Sequence, residues 1–232
     1  QKEVAQNLQN TSASRSTLTV RSYTFNNILT YNKEINTDHV IALMAGQEIY
    51  GYTREYNGGS TRSFPLPGVQ EPDAGSVVSG FNGYSDKFTL AGFLGRAEYN
   101  YQGKYNLSAS YRRDGSSKFH PKHRWGNFWS VGAAWNMAKE AFMENVENVD
   151  LLKWRVSYGA QGNQELSEYY PYQSVYQSGQ IGNSPALYIN TLANKDLTWE
   201  TNLNFNIGVD FSFFNSRLRG SAEYFQRSSK DL

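Results

Sequence analysis

Strict alternation of apolar and polar residues between Leu203 and Phe213 is the feature that most constrains the fold of this chain. Every even position in that run is polar or glycine, and the odd positions are Leu203, Phe205, Ile207, Val209, Phe211 and Phe213. Because side chains alternate between the two faces of a β-sheet, the segment predicts a strand with one apolar and one polar face. At about 3.3 Å per residue it is long enough to cross a bilayer when tilted.

The same period-2 pattern recurs in 105–112, 129–136 and 152–159. No apolar run approaches the roughly 18 residues of a transmembrane helix. We predict an all-β fold with eight strands, at about 20–35, 39–53, 87–101, 104–114, 127–138, 150–162, 200–213 and 217–230.

The lengths of the connections indicate how these strands are arranged. In an up-and-down meander, the tight turns 36–38, 102–103 and 215–216 fall at one end and the long connections 54–86, 115–126 and 163–199 at the other. The remaining connection, 139–149, falls at the tight-turn end and has a short helical pattern, and 163–199 could contain a further hairpin near 172–176 and 186–190. Sorting loops by length in this way is typical of an outer-membrane barrel and not of a Greek-key sandwich. The predicted fold class is an antiparallel up-and-down transmembrane β-barrel segment.

Composition supports this fold class only weakly. Aromatic residues make up 15% of the 232 residues, which suits the aromatic girdles of a membrane barrel but also a carbohydrate-binding sandwich. The net charge of +1 gives no electrostatic reason to expect a nucleic-acid partner. The lack of cysteine excludes disulfides, thiolate metal sites and a cysteine nucleophile.

No residue pattern predicts catalysis. The carboxylates of Asp114, Glu165 and Glu168 do not form the acid and base pair that a glycosidase needs. His120 and His123 are three residues apart, but Pro121 argues against a helix that would aim both at one metal ion. We therefore expect no catalytic residue, no metal site and no cofactor, and we predict that the protein is not an enzyme.

Two groups of residues are predicted to contact the surroundings. Arginine forks and aromatic rings bind sugars and carboxylates, so the substrate-binding candidates are Arg112, Arg113, Trp125, Tyr169, Tyr170 and Tyr172. Alternative roles are a pairing of Asp114 with a neighbouring arginine, headgroup anchoring by the tryptophan and loop packing by the tyrosines. The lipid-facing candidates are Tyr105, Leu107, Tyr111 and the six odd positions Leu203, Phe205, Ile207, Val209, Phe211 and Phe213.

Four stretches of the chain resemble a known family. They are YNLSASYRRDGSSKF at 105–119, HRWGNFWSVGAAWNMAKEAFM at 123–143, LLKWRVSYGAQGNQ at 151–164 and NKDLTWETNLNFNIGVDFSFFNSRLRGSAEYFQRSSKDL at 194–232. Their residues, order and spacing are similar to those in the barrel of SusC/RagA-type TonB-dependent transporters. The resemblance extends from about residue 20 to the end of the chain.

This resemblance implies a 22-stranded barrel in the bacterial outer membrane, filled by an N-terminal plug domain. It implies import of oligosaccharides or peptides, driven by the inner-membrane proton gradient through TonB, with a SusD-like surface lipoprotein over the barrel mouth. We find about eight strands and no plug or TonB-contacting segment in 1–232, so we expect these residues to be part of the barrel domain of a longer chain. Eight strands alone would leave two open sheet edges in lipid.

Two alternatives remain open at this point. A soluble glycan-binding β-sandwich would bury Phe205, Ile207 and Phe211 between two stacked sheets. A complete eight-stranded outer-membrane barrel, acting as an adhesin or structural protein, would pair Val20–Tyr31 with Leu218–Phe225. An enzyme ranks below both because no site for one is evident.

Overall fold

The computed structural model describes residues 11–65, 68, 71–166 and 168–230, and most of them are in strands. The strands are β1 (Ser12–Ile35), β2 (His39–Arg62), β3 (Val77–Tyr101), β4 (Tyr105–Ser116), β5 (Trp125–Asn136), β6 (Val149–Asn163), β7 (Val175–Ile181), β8 (Ser184–Thr191), β9 (Glu200–Phe213) and β10 (Leu218–Lys230). Three-residue 3-10 helices cover Pro72–Ala74, Met137–Lys139 and Ala141–Met143. None of the helices in these ranges has the length and apolar character needed to span a membrane.

Eight of the strands form one sheet in the order β1-β2-β3-β4-β5-β6-β9-β10, and β7 and β8 form a separate two-stranded sheet. The pairs from β3 to β6, from β6 to β9 and from β9 to β10 are antiparallel. Because neighbours in the large sheet follow chain order once the β7–β8 hairpin is set aside, the topology is an up-and-down meander. The predicted fold class is confirmed.

The chain divides into two compact units. The first consists of Gln1–Tyr23 and Gly51–Phe88, and the second of Thr24–Tyr50 and Thr89–Leu232. In the first unit, Tyr56 stacks on Tyr84 with ring centroids 5.2 Å apart, and Arg15 pairs with Glu71 at 2.8 Å. The second unit contains the candidate site and most of the sheet, so the following description of faces and ends concerns that unit.

Strand register separates the side chains of the second unit onto two faces. Leu107 pairs with Ala133, Ala133 with Val156 and Val156 with Ile207, and directly paired residues point to the same side of a sheet. We call this side the apolar face. One position along, the corresponding row is Ser108, Gly132, Ser157 and Asn206, and we call its side the polar face.

The tight turns predicted at 36–38, 102–103 and 215–216 are present. Their residues adopt positive φ values, 50° at Asn36, 62° at Gly103 and 52° at Asn215 among them. Glycine and asparagine tolerate this left-handed conformation better than other residues do, which explains their use here. These turns define the turn end of the sheet, and the connections 117–124 and 164–199 define its loop end.

The first three strands are longer than predicted. Residues 54–62 and 77–86, predicted as part of a long loop, belong to β2 and β3, and β1 begins at Ser12. These extensions are rich in glycine and polar residues, so they have no apolar period that would reveal a strand. The predicted helical stretch within 139–149 is only the 3-10 turn Ala141–Met143.

The further hairpin within 163–199 is present as β7 and β8. The two ends of the segment that contains this hairpin are adjacent, because the backbone N–H of Asn194 donates to the carbonyl oxygen of Pro171 at 3.0 Å. We call residues 172–193, on the far side of this bond, the arm. The arm is therefore closed at its base, and its two strands form a sheet separate from the large one.

A small buried core lies at the loop end. Phe119, Phe128 and Trp199 are 1%, 8% and 7% exposed, and Leu90, Leu166 and Leu197 pack against them. In contrast, Ile207 in the middle of β9 is 41% exposed, and Phe205 and Phe211 are only half-buried. These apolar residues do not pack between stacked sheets, so the sandwich alternative does not describe this fold.

The complete eight-stranded barrel is not supported either. In the described ranges, β1 and β10 lie at opposite ends of the strand order, and the pairing that closes such a barrel is not formed.

Candidate functional site

The polar face of the second unit carries a first ion cluster built around Arg112. Its Nε lies 2.8 Å from Asp114 Oδ1, and its terminal nitrogen lies 3.2 Å from Glu48 Oε1. Arg112 and Asp114 both lie on β4, two positions apart and thus on the same face, whereas Glu48 comes from β2. One guanidinium therefore links two carboxylates, and the cluster has a formal charge of −1.

A second cluster is built in the same way around Arg155. Its Nε lies 3.2 Å from Asp210 Oδ2 on β9, and its terminal nitrogen lies 3.0 Å from Glu223 Oε2 on β10. The three side chains are between a third and two-fifths exposed, so each pair contributes little to stability. The cluster joins three neighbouring strands on the polar face, and Lys153, which pairs with Asp210 in register, adds a second basic side chain beside it.

Between the clusters, the polar face is lined by hydroxyl and amide groups. The hydroxyls of Ser110 and Ser130 are 2.7 Å apart, and the Asn206 amide donates to Ser157 Oγ at 3.4 Å. Two open depressions of about 430 and 520 Å³ lie over this region. Groups of this kind both donate and accept hydrogen bonds, so the surface suits ligands with many hydroxyl or amide groups.

At the loop end, an aromatic cluster joins two connections. Trp199 packs against Phe119 and Phe128 with ring centroids 5.4 and 5.3 Å away. Its indole N–H donates to the carbonyl oxygen of Arg124 at 2.8 Å. The rim of the polar face is thus held by a buried core, which is consistent with the loops being ordered above it.

Lys118 extends this packing to the longest loop. Its ammonium donates to the carbonyl oxygen of Leu166 at 3.2 Å and lies 5.4 Å from the ring centre of Tyr169. Burial disfavours the charged form and lowers the pKa of Lys118. Tyr172 meets the His120 ring edge-on at 6.0 Å, and Tyr170 is half-buried. The three candidate tyrosines therefore pack among the loops.

The structure separates the remaining substrate-binding candidates. Arg112 lies on the polar face, but Arg113 points to the apolar face and lies 5.4 Å from the ring centre of Trp125. Trp125 pairs with Gly115, two residues beyond Arg113, and so occupies the same face. The adjacent arginines therefore cannot act together on one ligand.

The nine lipid-facing candidates all lie on the apolar face, as the registers of β4, β5, β6 and β9 show. Aromatic residues on this face form two bands. Tyr105, Trp135 and Trp154 are paired in one row near the turn end. Tyr111 and Trp129 are paired near the loop end, with Trp125 beyond them. Between the bands the paired positions are mainly aliphatic or alanine, such as Leu107, Ala133 and Val131.

Sequence reasoning missed the partners of the two arginines, Glu48, Asp210 and Glu223. The alternation already placed Asp210 and Arg155 on polar sides of their strands. Their contact depends on the register between β6 and β9, which a single sequence does not encode in a readable form.

A third charged group lies outside the strands, at the turn end. Glu140 accepts a hydrogen bond from Trp135 Nε1 at 2.9 Å and lies 3.6 Å from Lys104 Nζ. Hydrogen bonding from the Tyr105 hydroxyl is the main cause that lowers the pKa of Glu140, and Trp135 and Lys104 add to it. Glu140 therefore links the 3-10 turns to the start of β4 and the end of β5.

Metal ligation finds no support in the described part of the chain, where no three histidine, aspartate or glutamate side chains are grouped to hold an ion. The His120 and His123 rings are 6.3 Å apart.

Comparison with known proteins gives a consistent family. A family model described as "TonB dependent receptor-like, beta-barrel" matches residues 3–232. TonB-dependent receptor P3 of Formosa agariphila is 34% identical over 89% of this chain and 21% of its own length. TonB-dependent receptor SusC of Bacteroides thetaiotaomicron is 30% identical over 64% of this chain and 16% of its own length. The chain spans about a fifth of the length of the curated relatives it matches.

Solved structures agree with the sequence relatives. The structure of the RagAB peptide transporter superposes with a TM-score of 0.88 and 25% identity, covering 94% of this chain and 25% of that chain. The RagAB peptide importer in its "open-open" state gives a TM-score of 0.84 with the same identity.

Proposed function

Because this chain belongs to the TonB-dependent receptor β-barrel family, we propose that its large sheet is part of the lipid-spanning wall of an active nutrient importer. The protein is located in the bacterial outer membrane, as its SusC and RagA relatives are. Residues 1–232 then form part of the barrel domain. Proteins of this family are transporters, and we extend that to this chain, for which we propose no enzymatic role.

The observation that carries the proposal is the two-sided sheet. Trp125 and Trp135 mark the two aromatic bands of the apolar face and are ten residues apart on β5. That is about 33 Å along the strand, and a tilt of about 40° reduces the height to about 25 Å. This height matches the apolar band of an outer-membrane barrel. The nine lipid-facing candidates then contact hydrocarbon.

The polar face then lines the lumen. Its hydroxyl and amide groups and its ion-paired side chains favour a polar substrate. Oligosaccharides and peptides both have the required hydrogen-bonding groups. Import of a peptide is supported by the likeness to RagAB, and the likeness to SusC supports this family of transporters without separating the two substrates.

Two protein partners follow from the same family. We propose that TonB supplies the energy through a plug domain inside the complete barrel. A SusD-like surface lipoprotein covers the loop end, where the packed rim around Trp199 and the exposed arm provide surface for it.

Uptake by cells tests the function. A strain in which the gene for this protein is deleted is complemented with the wild-type gene and given labelled oligosaccharides or peptides. We expect uptake of one class to return with the gene and to stop when a protonophore removes the proton gradient. Uptake that persists without the gradient would show passive diffusion and contradict active import.

A further inference from the structure

The apolar face changes character at the level of Arg113. Below this level, the paired row of Tyr111 and Trp129 is aromatic. At this level, Arg113 pairs with Asn127 on β4 and β5, and Thr201 pairs with Lys230 on β9 and β10. Thr201 is an odd-numbered residue of β9 and shares the face of Leu203, so its partner Lys230 also lies on the apolar face. Two basic side chains thus appear at one level of the loop-end aromatic band, between the row of Tyr111 and Trp129 and the level of Trp125.

Arg113 lies in an ordered aromatic and amide setting. Its guanidinium lies over Trp125 at 5.4 Å, and Phe93, which pairs with Arg113, stacks on Trp125 at 6.3 Å. Tyr111 donates from its hydroxyl to Asn127 Oδ1 at 2.7 Å. This bond fixes the Asn127 amide and leaves its nitrogen as a donor beside the guanidinium. Both Arg113 and Asn127 are exposed.

No carboxylate of the described residues forms an ion pair with Arg113. The nearby acidic side chains, Asp114 and Glu48, are bound to Arg112 on the polar face. A cation on a surface that faces lipid is costly unless it reaches the polar headgroups or meets an anion. At the depth of the loop-end aromatic band, Arg113 is placed to do both.

We propose that Arg113, together with Asn127 and Trp125, binds the phosphate of a phosphorylated lipid headgroup in the outer leaflet of the outer membrane. The planar guanidinium matches phosphate oxygens through two parallel hydrogen bonds, and stacking on Trp125 holds it in place. The Asn127 amide adds a further donor. The site rests on the proposed orientation of the apolar face toward lipid, and it is separate from any substrate site on the polar face.

Lipid retention by the complete purified protein tests the site. Native mass spectrometry in detergent measures binding of phosphorylated lipid A, of the same lipid A with its phosphates removed, and of inorganic phosphate alone. We expect the wild-type protein to retain the phosphorylated lipid, and Arg113→Gln to lower the bound fraction at least about tenfold. Arg113→Lys keeps the charge but loses the fork, so it should bind at an intermediate level.

The matched control is Lys153→Gln, because Lys153 is a basic residue that pairs with Asp210 in register on the polar face. Its lipid retention should equal that of the wild type. Equal retention by Arg113→Gln and the wild type would overturn the proposal, and so would equal binding of the dephosphorylated lipid. Binding of inorganic phosphate with no preference for the lipid would also overturn it, in favour of a simple anion site.

Failure of this inference can be distinguished from failure of the proposed function. Lipid retention is read without any transported substrate, and folding of each variant is checked by the shift of the unheated barrel on an SDS gel. Normal lipid retention and normal uptake by Arg113→Gln would contradict the lipid site and agree with the proposed import function. Wild-type uptake that does not depend on the proton gradient would contradict the proposed import function and would not affect the lipid measurement.

Discussion

Arg112 and Arg113 are adjacent in the chain, yet Arg112 binds Asp114 and Glu48 on one face of the sheet while Arg113 lies over Trp125 on the other. Removing the charge of Arg112 should therefore change the stability of the protein differently from removing the charge of Arg113. Arg112→Gln leaves two carboxylates without their cation, and we expect it to lower the free energy of unfolding by about 1 kcal/mol because the cluster is partly exposed. Arg113→Gln should lower it by less. Denaturant unfolding in detergent measures both, and equal losses would contradict the separation of the two side chains.

A charge in the middle of the apolar face tests its orientation. Phe205 pairs with Tyr158, which pairs with Val131, midway between the two aromatic bands. We expect Phe205→Arg to destabilise the barrel by about 2–4 kcal/mol, the cost of a basic side chain near the bilayer midplane. Unfolding in lipid vesicles gives the value. Asn206→Arg, one residue away on the polar face, is the control and should have a much smaller effect. A tolerated arginine at position 205 would argue strongly against contact with lipid.

How much of this arrangement was predictable depends on the strand. The bounds predicted for 200–213 agree with β9, because its alternation is uninterrupted. Positions 54–62 and 77–86 were missed, because glycine and polar residues there leave no apolar face to detect. Parity along β4 already separates Arg112 from Arg113, since neighbouring residues of a strand point in opposite directions. Glu48 and Glu223 could not be assigned to their arginines, because strand register decides those contacts.

The aromatic core at the loop end should control the order of the rim. Phe119 is almost fully buried against Trp199, so Phe119→Ala should cost about 3–5 kcal/mol locally and loosen 117–124 and 164–199. Limited proteolysis of folded protein in membranes measures this as faster cleavage within the two loops. Tyr176→Ala serves as the control, because Tyr176 is 58% exposed on the arm. Similar cleavage rates for both variants would show that the core does not order the rim.

Acid should loosen the turn end through Glu140. Its pKa is lowered in the folded protein, so its contribution to stability is present above the ordinary carboxyl pKa and is lost as the pH falls through the lowered value. We expect hydrogen exchange of the backbone at 137–143 to accelerate once the pH falls below about 4.3.

Glu140→Gln should remove this dependence, and Glu144→Gln on the same connection is the control that should keep it. An unchanged acid response in Glu140→Gln would assign the effect to another group.

The bond between Asn194 and Pro171 closes the arm at its base, while β6 and β9 pair directly beneath it from Asn163 and Glu200 onward. The two ends of the arm are thus neighbours, and the wall is complete without it. We therefore expect that residues 172–193 can be replaced by a segment of another length. Such grafts would alter the loop end while the pairing of β6 with β9 stays the same.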